Sequence, residues 1–397
     1  MQVRKPRRPR VQARLGRGLA LAGCLAFAVL AIGSGMDRQA YLRPITARKV
    51  PALFADVALF TRGEAALTAG NASEANRFGE ATVRRSPIDP TSTALLGAGR
   101  LALGDRLGAD RAFRIAGQLG WRVPLTQAYW MQEAMAVKDW RVASERLDAI
   151  LRAQPQLANV PELFAVIEAS PDGRKAMVDR MAKARPAWLE TYSFDLYDKP
   201  VDMVARRAAV LSEMSARGII LDCGSISGPV NVLARGGRMA EAQVLWRQHC
   251  RQPDSGLLAD QSFSQLRAGD ARSEFEWALQ GNSDIGLLVT KGQTGGQIVR
   301  IEDGSAQART LLRQRVLAGA GAYRIDWTAV DGAGAVSPRI DATLSCDRDA
   351  MPGIDAKAAA SQRTVRIGGE CAAPWLIVLI KPGVGEVNLS RVALSRL

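Results

Sequence analysis

The stretch at residues 67–78, LTAGNASEANRF, returns with substitutions as LALGDRLGADRAF at residues 101–113 and as MAVKDWRVASERL at residues 135–147. The copies keep small residues in the same places, 34 residues apart: Ala75, Ala109 and Ala143, and Gly70 and Gly104. Apolar residues recur around them at helical spacing, so each copy predicts the end of one helix, a turn and a second helix. We expect the glycines at the chain reversal and the alanines where two helices pack closely.

A 34-residue period of paired helices is the signature of tetratricopeptide repeats, and residues 53–157 resemble that family. The resemblance implies antiparallel helix pairs stacked into an α-solenoid whose concave face binds a protein partner. The helical pattern continues beyond these repeats without a strict period, so we assign residues 53–270 to the solenoid. Five tryptophans at helical positions are expected in the core between helices: Trp121, Trp130, Trp140, Trp188 and Trp246.

From residue 272 the hydrophobic period changes from helical to alternating. Tyr323, Ile325 and Trp327 share one face of a predicted strand, and turn-forming glycines separate about eight or nine such strands. This series predicts an antiparallel β-sandwich over residues 272–397. The fold class is therefore α + β and multidomain, with a membrane helix, an α-solenoid and a β-sandwich of the jelly-roll type.

Three segments of the β region resemble the jelly rolls of carbohydrate-binding modules: Phe275-x-Trp277, residues 321–324 (GAYR) and residues 387–394. The resemblance implies glycan contact through aromatic rings, for which four residues are candidates: Trp277, Tyr323, Trp327 and Trp375. The alternation also allows all four in the core, in which case the sandwich is a structural or protein-contact domain.

Residues 1–36 join a basic flank, with no acidic residue before Asp37, to an uncharged apolar run at residues 18–35. As a helix this run spans about 27 Å, close to the hydrocarbon thickness of a bilayer. The basic flank predicts a single-pass inner-membrane anchor with a cytoplasmic N-terminus and the bulk of the chain in the periplasm. A cleaved secretory signal and a lipobox at residues 21–24 remain as alternatives. Residues 37–52 are expected to be a linker.

If the chain is exported from the cytoplasm, its cysteines are expected to form disulfides. Outside the apolar run, four remain: Cys223, Cys250, Cys346 and Cys371. An even number in an oxidising compartment suggests disulfides, and proximity favours Cys223 with Cys250 and Cys346 with Cys371. Buried free thiols are the alternative.

Several classes of function are excluded or disfavoured. The net charge is +14, but seven basic residues lie within the first 17 positions, so we expect no nucleic-acid partner. The chain has one histidine, His249, expected at a helix end as a capping or solvent-facing residue. Neither a phosphate loop nor a catalytic or zinc-binding motif occurs. We therefore expect no catalytic residue, no metal and no cofactor.

The order of anchor, repeats and cysteine-bearing sandwich resembles envelope proteins of Gram-negative bacteria that accompany exopolysaccharide export. The resemblance implies a non-catalytic scaffold that supports exopolysaccharide assembly or export through protein–protein contacts, with polysaccharide as a second ligand. Two alternatives remain: a general envelope scaffold in secretion or division without glycan contact, and a polysaccharide-degrading enzyme with an unrecognised site.

Overall fold

A computed structural model describes residues 10–397 except 195, 251, 255, 268, 270, 281–284, 293–295, 305 and 351–360, without the side chains of 10–17 and 303. The chain divides into two compact units, residues 1–154 and residues 155–397. The described part is α + β, with fourteen α-helices followed by two antiparallel sheets.

The first unit begins with a long apolar helix, α1 (Arg10–Leu42), followed by the short α2 (Pro44–Ala47). Among the described residues, the segment Gly18–Leu42 is the single one long and apolar enough to cross a membrane, a test that a signal sequence also passes. Residues 37–52 were predicted to be a linker, but α1 and α2 make much of this segment helical. The reason is that α1 continues past the apolar run and packs against the next helix.

Three helical hairpins complete the first unit. Their helices are α3 (Val57–Thr68), α4 (Ala72–Arg85), α5 (Pro90–Ala102), α6 (Arg106–Gly120), α7 (Pro124–Ala136) and α8 (Trp140–Ala153). Each hairpin turns through a left-handed residue, with φ of 72° at Gly70, 83° at Gly104 and 60° at Lys138. Glycine adopts this conformation without the steric cost that a side chain brings. These hairpins are consistent with a solenoid.

Each second helix of a hairpin starts with the same cap. The side chains of Asn71, Asp105 and Asp139 accept a hydrogen bond from the backbone N–H three residues ahead. Such caps satisfy one of the free N–H groups at a helix start. The predicted packing alanines, Ala75, Ala109 and Ala143, are fully buried in these helices.

The second unit opens with helices of uneven length. After two 3₁₀ turns, Pro155–Asn159 and Pro161–Leu163, come α9 (Ala165–Ala169), α10 (Pro171–Lys183), α11 (Leu189–Phe194), α12 (Val201–Ala216), α13 (Cys223–Arg235) and α14 (Met239–His249). Their core contains a buried ion pair between Glu168 and Arg207. The Arg207 guanidinium stacks on the rings of Phe164 and Tyr192.

Nine strands follow among the described residues, as the alternating pattern predicts. They are β1 (Ala278–Leu279), β2 (Ile285–Lys291), β3 (Gln297–Asp303), β4 (Arg309–Arg315), β5 (Gly321–Asp331), β6 (Ile340–Ser345), β7 (Gln362–Ile367), β8 (Trp375–Ile380) and β9 (Glu386–Arg396). They form two antiparallel sheets in the orders β1-β4-β8-β6 and β2-β3-β9-β5-β7. We call residues 278–396 the two-sheet region.

The two sheets enclose one apolar core, to which both contribute alternate side chains. Strand β8 differs because all six of its residues, WLIVLI, are buried. Leu376, Val378 and Ile380 belong to the core between the sheets. Trp375 and Ile377, together with Leu379, form a second apolar cluster on the other face of the same sheet. The second face of this sheet is therefore also buried, and the candidate site lies among the residues that cover it.

Candidate functional site

Both disulfides favoured by spacing are present, Cys223–Cys250 and Cys346–Cys371. The first joins the start of α13 to the end of α14, and the second joins the segment after β6 to the segment before β8. Cys24 is free and exposed on α1. Disulfides persist in oxidising compartments, so these bonds and the apolar N-terminal helix indicate an extracytoplasmic protein.

Three of the four aromatic residues predicted as glycan contacts belong to the core between the sheets. Trp277, Tyr323 and Trp327 have exposed fractions of only 4%, 1% and 3%. The indole N–H of Trp277 donates to the Asp260 carbonyl at 2.7 Å, and the Tyr323 hydroxyl donates to the Gly319 carbonyl at 2.6 Å. Strand alternation turns Tyr323 and Trp327 inward, and Trp277, just before β1, packs into the same core, so none of the three has a face free for a sugar ring.

Trp375 lies elsewhere, on the outer face of the sheet β1-β4-β8-β6. It is only 4% exposed, because guanidinium groups cover its ring. The Cζ atoms of Arg315, Arg348 and Arg313 lie 4.6, 5.6 and 5.9 Å from the ring centroid. Arginines at such distances make cation–π contacts. The Trp375 ring is thus covered by three positively charged side chains.

Trp375, Arg313 and Arg348 form one wall of a cavity of about 370 Å³ within the second unit. Helix α13 contributes Asn231 and Arg235, the chain before it contributes Tyr197, and Glu274 and Glu276 come from the segment before β1. The ring of Tyr197 is 46% exposed. We call this space the arginine cavity. Its volume is in the range of small-molecule sites, about 300–1,000 Å³.

The two glutamates of the arginine cavity are already neutralised. Glu276 holds Arg272 through a bidentate contact, with its closest N···O distance 2.6 Å. Glu274 accepts from Nε of Arg315 at 3.0 Å. Such charge-assisted bonds fix both partners in place. The acids therefore serve to position arginines rather than to offer free carboxylates.

The three arginines that line the cavity differ in their partners. Arg313 pairs with the largely exposed carboxylate of Asp349 at 3.0 Å. Arg235 donates from Nε to the Asn231 carbonyl oxygen on its own helix, and Arg348 contacts the Trp375 ring. Neither Arg235 nor Arg348 has a carboxylate partner among the described residues. The cavity therefore has an excess of positive charge.

Arg313 also has an unsatisfied donor. Its side chain is 13% exposed, and its Nε atom is buried without a hydrogen-bond partner in the described part of the chain. Burial lowers the pKa of Arg313, and the nearby charge of Arg348 lowers it further. Both effects disfavour the cation and would be relieved by an anion. No signal in the local sequence marks this residue.

Within the described residues, no group of three or more His, Cys, Asp or Glu side chains could hold a metal ion. His249 is buried rather than solvent-facing. Its Nδ1 accepts the Leu221 N–H at 3.1 Å, and its Nε2 lies 3.0 Å from the Leu211 carbonyl, so the ring joins three elements as a neutral imidazole. Burial lowers its pKa.

A separate feature of the first unit is an exposed apolar patch on α6. Ile115 and Leu119 are one helical turn apart and 49% and 40% exposed, and Trp121 at the end of the helix is 57% exposed. Residues four apart share a helix face. We call these three residues the α6 patch. Trp121 was expected between helices and instead lies at the surface; Trp188 and Trp246 are buried as expected.

Comparisons with protein-family models and with curated proteins find no match. Among solved structures, a proposed sugar binding protein from Bacteroides thetaiotaomicron is 12% identical with a TM-score of 0.22, over 36% of this chain and 96% of that one. The complex of TmCBM61 with β-1,4-galactotriose is 15% identical with a TM-score of 0.21, over 30% and 88%. Both likenesses fall on the C-terminal two-sheet region. At this level of similarity, function has to be inferred from the residues of this chain.

Proposed function

We propose that this protein is a non-catalytic scaffold, anchored in the inner membrane and facing the periplasm, that supports exopolysaccharide assembly or export. Its hairpins act as tetratricopeptide-type repeats that bind a protein partner, and its two-sheet region acts as a jelly roll that contacts polysaccharide. The docking of α1 onto α3 carries the proposal.

Three residues of α1 face the rest of the first unit. Gly33, Asp37 and Ala40 are buried at helical spacing, whereas the apolar side chains before them are exposed. A Cβ on Gly33 would lie 2.4 Å from the ring of Phe54, so only glycine permits this approach. The apolar segment thus continues without a break into a helix that is part of the folded unit.

Asp37 completes this junction. Its carboxylate accepts the backbone N–H groups of Val57 at 3.1 Å and Ala58 at 2.8 Å, at the start of α3. A carboxylate there satisfies free donors and complements the helix dipole. Asp56, the residue at the N-cap position of α3, makes no such bond with its own side chain. The first repeat therefore takes its cap from α1, as expected of an anchor that stays attached.

The α6 patch supports a protein partner. Large apolar side chains exposed near one end of a helix, as Ile115, Leu119 and Trp121 are, are typical of interaction surfaces. The aromatic Trp121 is of the type enriched where partners bind. The excess positive charge of the arginine cavity supports a polysaccharide with acidic groups.

The first test is a clean deletion strain, with the full-length gene returned as the control. We expect secreted polysaccharide to fall and to recover on complementation. A second pair of strains carries Trp121→Ala, which should reduce export, or Ile88→Ser, a change at a more exposed apolar residue outside the α6 patch that should not. Unchanged polymer in the deletion strain would refute the export role and favour a general envelope scaffold.

The anchor is tested on the protein itself. Intact mass of the membrane-extracted chain should include residues 1–36. A mature chain that starts near Ser34 or Met36 would identify the segment as a cleaved signal and remove the anchoring part of the proposal.

A further inference from the structure

We propose that the arginine cavity binds a carboxylate-bearing sugar, a uronic acid residue of an acidic polysaccharide. This inference rests on the proposed function and specifies its ligand. It depends on the charge balance of the cavity, an unsatisfied donor, and the mixture of ring and amide groups around them.

The charge balance favours an anion. Five arginines lie in or next to the cavity, Arg235, Arg272, Arg313, Arg315 and Arg348, against the three carboxylates of Glu274, Glu276 and Asp349. Each carboxylate is engaged by a different arginine. The two that remain, Arg235 and Arg348, come from different elements but line the same space. A guanidinium fork suits a carboxylate because two N–H groups can bond its two oxygens.

The buried Nε of Arg313 adds an energetic cost next to the cavity. A buried N–H without an acceptor costs about 1–3 kcal/mol, and more when the group is charged. An anion bound in the cavity would offset part of that cost through its charge, because it would stabilise the guanidinium as a whole. Because burial and Arg348 both lower the pKa of Arg313, a negative ligand also stabilises the charge itself.

The remaining lining favours a sugar over a simple anion. Tyr197 presents a half-exposed ring at the cavity, and Asn231 and Gln280 supply side-chain amides. A ring surface with a few polar groups is the usual composition of a ligand pocket, in which the polar groups fix orientation. Each amide nitrogen already donates one hydrogen bond, to the carbonyl of Arg272 or of Leu279, which leaves a second N–H and the amide oxygen of each for hydroxyl groups. A uronic acid offers a carboxylate for the arginines and hydroxyls for the amides.

Both disulfides hold this arrangement. The Cys346–Cys371 bond ties the segment that carries Arg348 to the segment that leads into Trp375. The Cys223–Cys250 bond ties the start of α13, which carries Asn231 and Arg235, to the end of α14. Preorganised groups lose less entropy on binding.

The test is calorimetry on the full-length chain in detergent micelles. The probes are tetrasaccharides of α-1,4-galacturonate, β-1,4-mannuronate and glucuronate alternating with N-acetylglucosamine. Each is paired with the same oligosaccharide after reduction of its carboxyl groups to hydroxymethyl groups. We expect at least one acidic probe to bind at least tenfold more tightly than its neutral counterpart, with affinity falling as salt rises.

Arg348→Gln and Arg235→Gln should each weaken that binding at least fivefold. The matched control is Arg366→Gln, which removes an exposed arginine from β7 in the other sheet and should change affinity less than twofold. Thermal unfolding of each variant checks that the fold is retained. Binding of none of the acidic probes, or equal binding of the neutral counterparts, overturns the inference.

Two further outcomes also overturn it. Inorganic phosphate that displaces the bound acidic probe at equal concentration would identify a general anion site. Tetraglutamate that binds as tightly as the sugar would identify an acidic peptide site. The deletion strain separates this inference from the proposed function. If export falls in that strain but no acidic probe binds, the export role stands and the cavity assignment fails.

Discussion

The buried ion pair of the second unit gives the sharpest stability prediction. Nε of Arg207 lies 3.2 Å from Oε1 of Glu168, and the two side chains are 1% and 0% exposed. Nη1 of Arg207 donates to the Tyr192 carbonyl at 3.0 Å, and the Tyr192 hydroxyl donates to Oε1 of Glu168 at 2.8 Å. The guanidinium contacts the rings of both Phe164 and Tyr192, with its Cζ atom 4.9 and 4.1 Å from their centroids.

Arg207→Met keeps much of the volume and removes the cation. Among the described residues, the Glu168 carboxylate then keeps only the Tyr192 hydroxyl as a donor and stays buried. Breaking a buried pair by removing one partner costs about 3–5 kcal/mol. For a unit of this size about 1 kcal/mol corresponds to 2–4 °C, so the melting temperature should fall by roughly 6–20 °C. The matched control is Arg206→Met, which removes the neighbouring and more exposed arginine and should change the melting temperature by less than about 3 °C.

Thermal unfolding followed by near-ultraviolet circular dichroism measures the effect, because Trp188 packs against Tyr192. The double variant Glu168→Gln, Arg207→Met should be more stable than Arg207→Met alone, since no uncompensated charge remains. A fall of less than about 3 °C for Arg207→Met, or a double variant no better than the single one, would refute this reasoning.

Three other predictions follow from single contacts. The pKa of His249 is lower in the folded protein than its usual value of 6.5, so the contribution of His249 to the free energy of unfolding is fully present above pH 6.5 and decreases as the pH falls below 6.5. His249→Asn should abolish that decrease in denaturant titrations. Asp37→Ala should weaken the start of α3 by about 0.5–2 kcal/mol, measured as faster amide exchange at Val57 and Ala58 than in Asp56→Ala. Gly99→Ala would place a Cβ 2.6 Å from the Asn76 Cα and should cost about 1–3 kcal/mol, whereas Gly117→Ala, with its nearest neighbour at 3.9 Å, should be tolerated.

The repeats could be predicted because their signals are local. The left-handed turn at Gly70 and Gly104 and the cap after it lie within a few residues of each other. Such short-range chemistry repeats with the sequence period. The third hairpin has Lys138 in the same left-handed conformation, so the backbone keeps the turn even where the glycine is missing. The helical period alone did not reveal that Asp37 would cap α3, because its partners are 20 and 21 residues away.

The faces of the strands were harder to predict. Alternation correctly places Tyr323 and Trp327 on one face, but it does not say whether that face meets solvent or a second sheet. Both rings proved to be core residues. The continuous apolar run of β8, WLIVLI, is a signal of burial on both faces, and it could have indicated that Trp375 lies under a cover. The arginine cavity itself combines residues far apart in the chain, which no local pattern relates.

The disulfides connect the location of this protein to its candidate ligand. In a reducing cytoplasm the thiols would stay unlinked, and Arg348 would lie on a segment without a covalent tie to β8. Its proximity to Arg313 is unfavourable, since two like charges in a partly buried place repel each other. The bond between Cys346 and Cys371 joins the segment that carries Arg348 to the segment that leads into β8, and so limits how far Arg348 can move away. An anion relieves the same repulsion. Because disulfides persist in oxidising compartments, we expect the arginine cavity to be fully cross-linked only outside the cytoplasm, which is where the proposed acidic ligand would be found.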